Sequence, residues 1–223
     1  MLDIEGDGML ALWNGVDPAR QAEYDLWHTR EHVPERLSVP GMLGARRYLR
    51  AEGPLPLYLT LYALENTGVL ASPPYLHLLD NPTPWSRSMR PSFRGFARLC
   101  CHRRWSHGGG AGGWLAAIPL DEAAAQGWQA LARAITDLPD DVAPVAAHIL
   151  LRDETVAGVP FTIGGETPDF PRAGAVLLEF FDDPLARNRL SALAGDTAKM
   201  LTVYRLAYAL AAPSRAAGSV PDN

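Results

Sequence analysis

The chain has 223 residues, which is enough for one large domain or two small ones. Its composition, 48% hydrophobic and 20% charged, is that of a packed globular protein and excludes an intrinsically disordered chain. The formal net charge of −5 gives no long-range attraction for nucleic acid or anionic lipid, so we expect neither as a partner.

The first residues, MLDIEGDGML, are acidic and lack the basic and apolar regions of a secretory signal. No apolar run approaches the roughly 20 residues that span a bilayer. The cysteines Cys100 and Cys101 are adjacent, so on a strand they would point to opposite faces and could not form a disulfide easily. We therefore expect a cytoplasmic protein with no membrane partner.

The first half of the chain predicts the element order β-α-β-β-α-β. Asp17-Pro18 can begin a helix, with aspartate as the cap and proline in the first turn. The short turn sequence AEGP separates two segments rich in strand-forming residues. The predicted strands are 8–16, 41–50, 56–65 and 93–105, with helices from about residue 18 and near 83–91.

The same element order recurs after SHGGGAGG (106–113), which has the composition of a flexible linker. The predicted strands of the second copy are 113–120, 143–152, 175–183 and 199–210, with helices over 121–136 and roughly 184–197. An insert at 153–173 makes the halves unequal. The predicted division is a first unit at 1–106, a linker at 107–113, a second unit at 114–211 and a tail at 212–223.

Each unit is expected to form a four-stranded antiparallel sheet with two helices on one face, which is the ferredoxin-like arrangement. The other face of each sheet would then lack cover. Packing the two bare faces together solves this problem within one chain. The predicted fold class is therefore α+β, with two ferredoxin-like units that form an intrachain α/β barrel.

The segment WHTREHVPERLSVPG (27–41) concentrates the candidate chemistry. On a helix over 18–37, one stripe of residues would be buried, with His28 nearly opposite it and His32 at its edge. Pro34 blocks a helical hydrogen bond, so the helix is expected to end at His32. The stripe expected to be buried comprises Ala22, Leu26, Thr29, Val33 and Leu37.

These histidines allow three interpretations. A histidine at a helix C-terminus can simply interact with the helix dipole, and His28 can be a solvated surface residue. Alternatively, His32 is a proton donor or acceptor in a cavity, because histidine titrates near neutral pH. In the third interpretation Asp25, His28 and His32 bind a metal, although the sequence offers no further ligand.

Strand alternation adds further candidates. Arg46 and Tyr48 lie on one face of a predicted strand, directly after the turn at Pro40-Gly41, and are expected near the end of the first helix. Tyr58 and Tyr62 share a face of the next strand. Tyrosines in such positions pack at sheet interfaces more often than they line ligand cavities.

The residues Trp27, His32, Pro34, Pro40-Gly41 and Arg47-Tyr48 resemble a W…H-x-P…PG…RY arrangement. This arrangement is found in EthD-type proteins and related members of the dimeric α/β-barrel superfamily. The resemblance covers the first half well and the second half only in element order. In that superfamily, ferredoxin-like units pair through their sheets into a barrel.

The resemblance implies a small catabolic enzyme of isomerase, decarboxylase or monooxygenase type that acts by proton transfer on an aromatic or lactone-like molecule, without a cofactor. His32 would be the general acid or base, and Arg46 and Tyr48 would orient a substrate oxygen. Trp27, Tyr58 and Tyr62 would contact the ligand. The alternative is a non-catalytic, small-molecule-binding or stress-related protein of the same fold.

Two further expectations come from the same resemblance. The second half lacks the histidine motif, so any site of this kind should occur once. His148 could be an axial ligand by analogy with the haem enzymes of the superfamily, although neither haem nor a metal is expected here. The predicted partner is a small molecule, and a homodimer is a further option.

Overall fold

The computed structural model describes residues 6–50, 57–156, 173–185 and 201–213. Within these residues, eight antiparallel strands form a closed barrel in the order β1-β3-β2-β8-β5-β7-β6-β4. The strands are β1 Gly8–Val16, β2 Met42–Arg50, β3 Tyr58–Leu64, β4 Phe93–Gly108, β5 Trp114–Leu120, β6 Ala146–Arg152, β7 Gly174–Phe180 and β8 Thr202–Ala211.

Short helices cover the outside of the barrel. They are α1 Gln21–Trp27, α2 Val33–Leu37, α3 Pro73–Asp80, α4 Pro84–Met89, α5 Glu122–Gln126 and α6 Trp128–Thr136, and a π-helical turn, His28–His32, joins α1 to α2. The sequence did not predict α3. None of the described helices is long and apolar enough to cross a bilayer.

Each half of the chain contributes a sheet of the same connectivity. The order β4-β1-β3-β2 of the first half matches the order β8-β5-β7-β6 of the second. The pairs β2–β8 and β4–β6 join the two sheets and close the barrel. The predicted α+β fold with an intrachain α/β barrel is therefore confirmed.

Several predicted boundaries differ from the observed ones. Strand β4 continues to Gly108, because residues 101–108 pair with β6, so part of the predicted linker belongs to the barrel wall. Most of the predicted helix at 184–197 and of the insert at 153–173 lies outside the described residues. The predicted helix at 121–136 is divided at Gly127 into α5 and α6.

The strands separate an interior core from the outer layers beneath the helices. Alternation places Leu59 and Leu61 of β3 in the interior, with Met9 and Leu99 of the neighbouring strands. The outer face of the same sheet carries Tyr62, which packs against Val33 and Leu37 of α2. Successive side chains of a strand therefore alternate between the barrel interior and the outer side of the barrel.

The turn between α2 and β2 depends on Gly41. Its φ of +88° lies in the left-handed region, which L-residues with a Cβ rarely adopt. A Cβ at this position would also lie only 2.5 Å from Cγ2 of Val69. The predicted turn at Pro40-Gly41 is confirmed, and it leads the chain directly from the histidine segment into β2.

Candidate functional site

A π-helical turn sets the direction of the two histidines. The Val33 amide donates to the His28 carbonyl, five residues earlier, so this turn contains one residue more than an α-helical turn. Pro34, which has no N–H, then sits in the first turn of α2, and the helical path continues to Leu37. The prediction that the helix ends at His32 is therefore wrong.

The buried face of this helix also differs from the prediction. Ala22 is exposed, and Leu26 is 53% exposed. Tyr24, Trp27 and His28, spaced by three and four residues, face the sheet instead. His28, which we predicted to be solvated, is only 3% exposed. The aromatic residues of α1 were the signal for this face.

Aromatic rings surround both imidazoles. The ring centroid of His32 lies 4.5 Å from that of Trp27 and 5.3 Å from that of His28. Tyr24 contacts the His28 ring at 5.4 Å and the Tyr58 ring at 4.8 Å. Ring separations of this size are those of favourable aromatic contacts. The sequence-predicted residues Trp27, His32 and Tyr58 therefore belong to one layer.

Polar groups of the sheet lie beneath these rings. Oγ1 of Thr60 is 3.5 Å from Nε2 of His28. The Tyr58 hydroxyl donates to Oδ1 of Asp25 at 2.9 Å, and the Arg47 guanidinium lies 3.3 Å from the same oxygen. Arg47 and Thr60 were missed as site residues, although β-strand register and alternation place both on the face of Tyr58 and Tyr62.

The environment keeps both histidines neutral at pH 7. Burial lowers the pKa of His28 well below its ordinary value, and the nearby Arg47 guanidinium lowers it further. Burial also lowers the pKa of His32 well below its ordinary value, with a further contribution from Arg36. A neutral imidazole can accept a proton, so each is a base throughout the physiological pH range.

Several buried polar atoms of this layer have no hydrogen-bond partner among the described residues. They include Nδ1 of His28, Nδ1 of His32 and the Tyr62 hydroxyl. Buried polar groups normally have partners, so such a concentration in one layer is typical of a polar binding site. His32 is the more accessible of the two histidines, because it is partly exposed and His28 is buried.

Arg46 and Tyr48 do not join this site. Both lie on the inner face of β2, and Tyr48 packs in the interior core. His32 lies on the outer side of the same sheet, so the predicted convergence of the three side chains does not occur. The prediction that Arg46 and Tyr48 share a face of β2 is correct. That face was expected near the first helix, but it lies in the barrel interior.

In the barrel interior Arg46 belongs to a different polar cluster. Nη1 of Arg46 lies 2.6 Å from Oε1 of Glu179, which is fully buried. The Gly112 amide donates to Oε2 of Glu179 at 2.7 Å. Nε2 of His148 lies 3.6 Å from Oε1 of Glu179, and its Nδ1 lies 2.8 Å from Oγ of Ser106. This cluster joins the two halves.

The two cofactor candidates considered from the sequence lie in different parts of the barrel. Nδ1 of His148 lies 2.8 Å from Oγ of Ser106, and its Nε2 is buried in the interior without a hydrogen-bond partner among the described residues, 3.6 Å from Oε1 of Glu179. In the described part of the chain, no group of three or more His, Cys, Asp or Glu residues could hold a metal ion. Asp25 instead binds Tyr58 and Arg47.

An open groove of about 480 Å³ lies at the end of α2, outside the histidine layer. Its walls include Leu37, Met42, Glu65 and Pro213, and no histidine contributes to it. The groove therefore does not extend the site around His32. In the described part of the second half, the buried polar residues His148 and Glu179 both face the barrel interior and form no equivalent site.

Solved structures with the same architecture are highly diverged in sequence. An anthrone oxidase-like protein aligns over 98% of this chain and 99% of its own, with 10% identity and a TM-score of 0.56. A candidate monooxygenase from Fusobacterium nucleatum aligns over 92% and 94%, with 9% identity and a TM-score of 0.53. A chlorite dismutase variant from Candidatus Nitrospira defluvii aligns over 92% of both chains, with 11% identity and a TM-score of 0.52.

The chain has the dimeric α/β-barrel fold, closed within one polypeptide. The predicted resemblance to EthD-type and related dimeric α/β-barrel proteins is confirmed at the level of fold. No protein-family model and no curated protein sequence matches the chain. Since identities near 10% show the fold alone, the function of this α/β barrel has to be argued from its own residues.

The two neutral histidines predict acid sensitivity of the α/β barrel. Their folded-state pKa values are lowered, so below about pH 6.5 the unfolded chain binds protons that the folded protein does not. Stability should therefore fall as the pH decreases from 7 to 5, by about 2 kcal/mol for each buried histidine. Urea unfolding at several pH values measures this slope.

A His28→Gln/His32→Gln double variant is the control for this prediction. Neither glutamine titrates, so the free energy of unfolding should change less between pH 7 and pH 5 than in the wild type. An unchanged pH dependence in the double variant would show that other groups cause the acid sensitivity.

Proposed function

We propose that this α/β barrel is a small enzyme of catabolic type that transfers a proton on an aromatic or lactone-like molecule, using side chains alone. The observation that supports this proposal best is the pair of neutral imidazoles, His28 and His32, packed against aromatic rings and guanidinium groups. Removal of an activated proton needs a base to accept it. It is helped by an apolar surface that holds the substrate and by a cationic group that stabilises the developing negative charge.

In this proposal His32 is the general base, because it is the more accessible histidine. Its ring packs beside that of Trp27, which is itself buried and so holds the imidazole in place. Nδ1 of His32 is buried without a partner among the described residues, so the proton would be accepted at the accessible edge of the ring, which carries Nε2. The exposed edge of the same residue gives a small molecule access to the base.

His28 and Arg47 complete the proposed site. His28 is held at Thr60 and is buried, so it positions groups around His32 and does not itself face the solvent. When a proton leaves a carbon or oxygen next to a carbonyl group, negative charge develops on the carbonyl oxygen. A fixed guanidinium such as that of Arg47 stabilises this charge in a site with little water.

Proton transfer can be measured directly without knowing the natural substrate. α-Angelica lactone and anthrone each carry an activated C–H bond, one in a lactone and one in an aromatic ketone. We expect the wild-type protein to accelerate deuterium uptake from D₂O into at least one of them, as followed by proton NMR. Acceleration that disappears in the His28→Gln/His32→Gln variant would support the proposal.

The same assay separates catalysis from simple binding. Protein that binds these compounds in calorimetric titration and leaves their exchange at the buffer rate would favour the non-catalytic, small-molecule-binding alternative. The proposed partner in either case is a small molecule. A homodimer stays a prediction. The barrel itself does not need a second chain, because it is closed within one.

A further inference from the structure

The buried charges of the barrel do not balance. Among the described residues, four arginines but only two carboxylates are buried, and the carboxylates are Glu179 and Asp153. Glu179 pairs with Arg46 in the interior. Asp153 is held by His102 at 3.1 Å and by Thr155. The remaining buried arginines are Arg36, Arg47 and Arg98.

These three arginines all belong to the outer layer of the first half. Their pairing with described carboxylates is weak: Arg47 lies 3.3 Å from Asp25, whose side chain is 42% exposed, and Arg36 lies 4.0 Å from Glu35. Arg98 has no carboxylate within 4.0 Å in the described part of the chain. The following guanidinium atoms are buried without a partner there: Nη1 of Arg36, Nε and Nη1 of Arg47, and Nη2 of Arg98.

Strand register places two of these arginines in one row across the sheet. Arg98 pairs with Leu12, Leu12 pairs with Thr60, and Thr60 pairs with Arg47. Neighbouring strands lie about 4.8 Å apart, so the row is about 14 Å long, and a long arginine side chain rises from each end. Thr60, inside the row, is the residue that contacts His28.

The middle of this row is less completely covered than the rest of β1. Every residue of β1 is buried except Leu12, which is partly exposed although it lies in the centre of a sheet covered by helices. Solvent therefore reaches the surface between Arg98 and Thr60. An apolar residue at the base, a guanidinium at each end and a histidine above are complementary to a small molecule with an apolar ring and a negative charge.

We propose that this site takes a small aromatic carboxylate, whose charged group lies between Arg98 and Arg47 above Leu12. The inference rests on the proposed function for the location of the site and adds the charge of its ligand. A buried guanidinium without a counter-ion is costly, and a bound carboxylate would supply that counter-ion. The overall charge of −5 disfavours a polyanion such as nucleic acid as the source of this counter-ion.

Salicylate and salicylamide are matched probes for this proposal, because they differ in charge but scarcely in shape. Calorimetric titration of the full chain should show salicylate binding about 10-fold to 100-fold tighter than salicylamide. In the Arg98→Met variant this preference should be lost, mainly through weaker binding of salicylate. The Arg98→Lys variant, which keeps a positive charge, should retain part of it.

Arg94→Met is the control, since Arg94 lies on the same strand with its side chain 47% exposed, paired with Asp17. Its affinity for both probes should equal that of the wild type. Equal affinities of wild-type protein for the two probes, or no binding of salicylate, would overturn the proposal even if Arg98→Met did not fold. So would a folded Arg98→Met variant that retains the preference.

Binding and proton transfer can fail separately. A His32→Gln variant should still prefer salicylate, because its guanidinium groups are unchanged. If the preference holds and no compound exchanges its proton, the proposed enzyme activity is wrong and the ligand class stands. If proton transfer depends on His32 but salicylate has no advantage, the activity stands and the ligand class is wrong.

Discussion

The His32→Gln variant is expected to transfer protons about 10² to 10⁴ times more slowly than the wild type, with the fold intact. Glutamine can occupy the place of the imidazole beside Trp27 and can still form a hydrogen bond. It cannot accept a proton at neutral pH. The rate of deuterium uptake into anthrone or α-angelica lactone, compared at equal protein concentration, measures the loss.

A solvent-exposed histidine provides the matched control for this variant. His77 lies on α3, is exposed and contacts Asn81, so His77→Gln should leave the exchange rate unchanged. If His32 only stabilises the end of a helical segment, its replacement should lower the free energy of unfolding by about 0.3–1 kcal/mol and leave exchange unaffected. That result would remove His32 as the proposed base.

The second large effect concerns the barrel interior. Glu179→Gln should lower the free energy of unfolding by about 3–5 kcal/mol, because it leaves the Arg46 guanidinium as an uncompensated charge in a closed core. Glu179 is fully buried and Arg46 is 5% exposed, so water cannot replace the lost carboxylate easily. Urea unfolding of the wild type and the variant measures the difference.

Two further variants test the cause of this effect. Arg46→Met/Glu179→Leu removes both charges together and should recover most of the stability, since an apolar pair of similar volume can replace a buried ion pair. The exposed pair Arg20 and Glu23, 2.8 Å apart, is the comparison, and Glu23→Gln should cost far less stability than Glu179→Gln. Equal losses for the two variants would contradict the prediction.

The repeated element order was sufficient to predict the fold. Each copy of β-α-β-β-α-β has one bare sheet face. Because apolar surface has to be buried, the two bare faces pack together and form the barrel. The interior pair was harder to foresee, because alternation identifies which residues share a face without identifying what covers it. Glu179, the one charged residue in an otherwise apolar strand, was the available signal for a buried partner such as Arg46.

The surroundings of the two histidines were predicted in part. His32 and Trp27 do lie together, because the local sequence places them on one helical segment. The burial of His28 was missed, since a constant rotation of 100° per residue cannot represent the extra residue of the π-helical turn. Arg98 was missed because only its pairing with β1, distant in the sequence, brings it into one row with Leu12 and Thr60.

The position of β8 has a consequence for synthesis of the protein. This strand lies between β2 and β5, and it pairs Arg46 with Ala209 across most of the length of the chain. Contacts at such long sequence separation form slowly, and a ribosome exposes the first half well before the pairing partner of β2 emerges. During that interval the edge of β2 and the uncovered inner face of the first sheet are accessible to other nascent chains. We therefore expect the first half to depend on chaperones until translation has passed residue 211, where β8 ends.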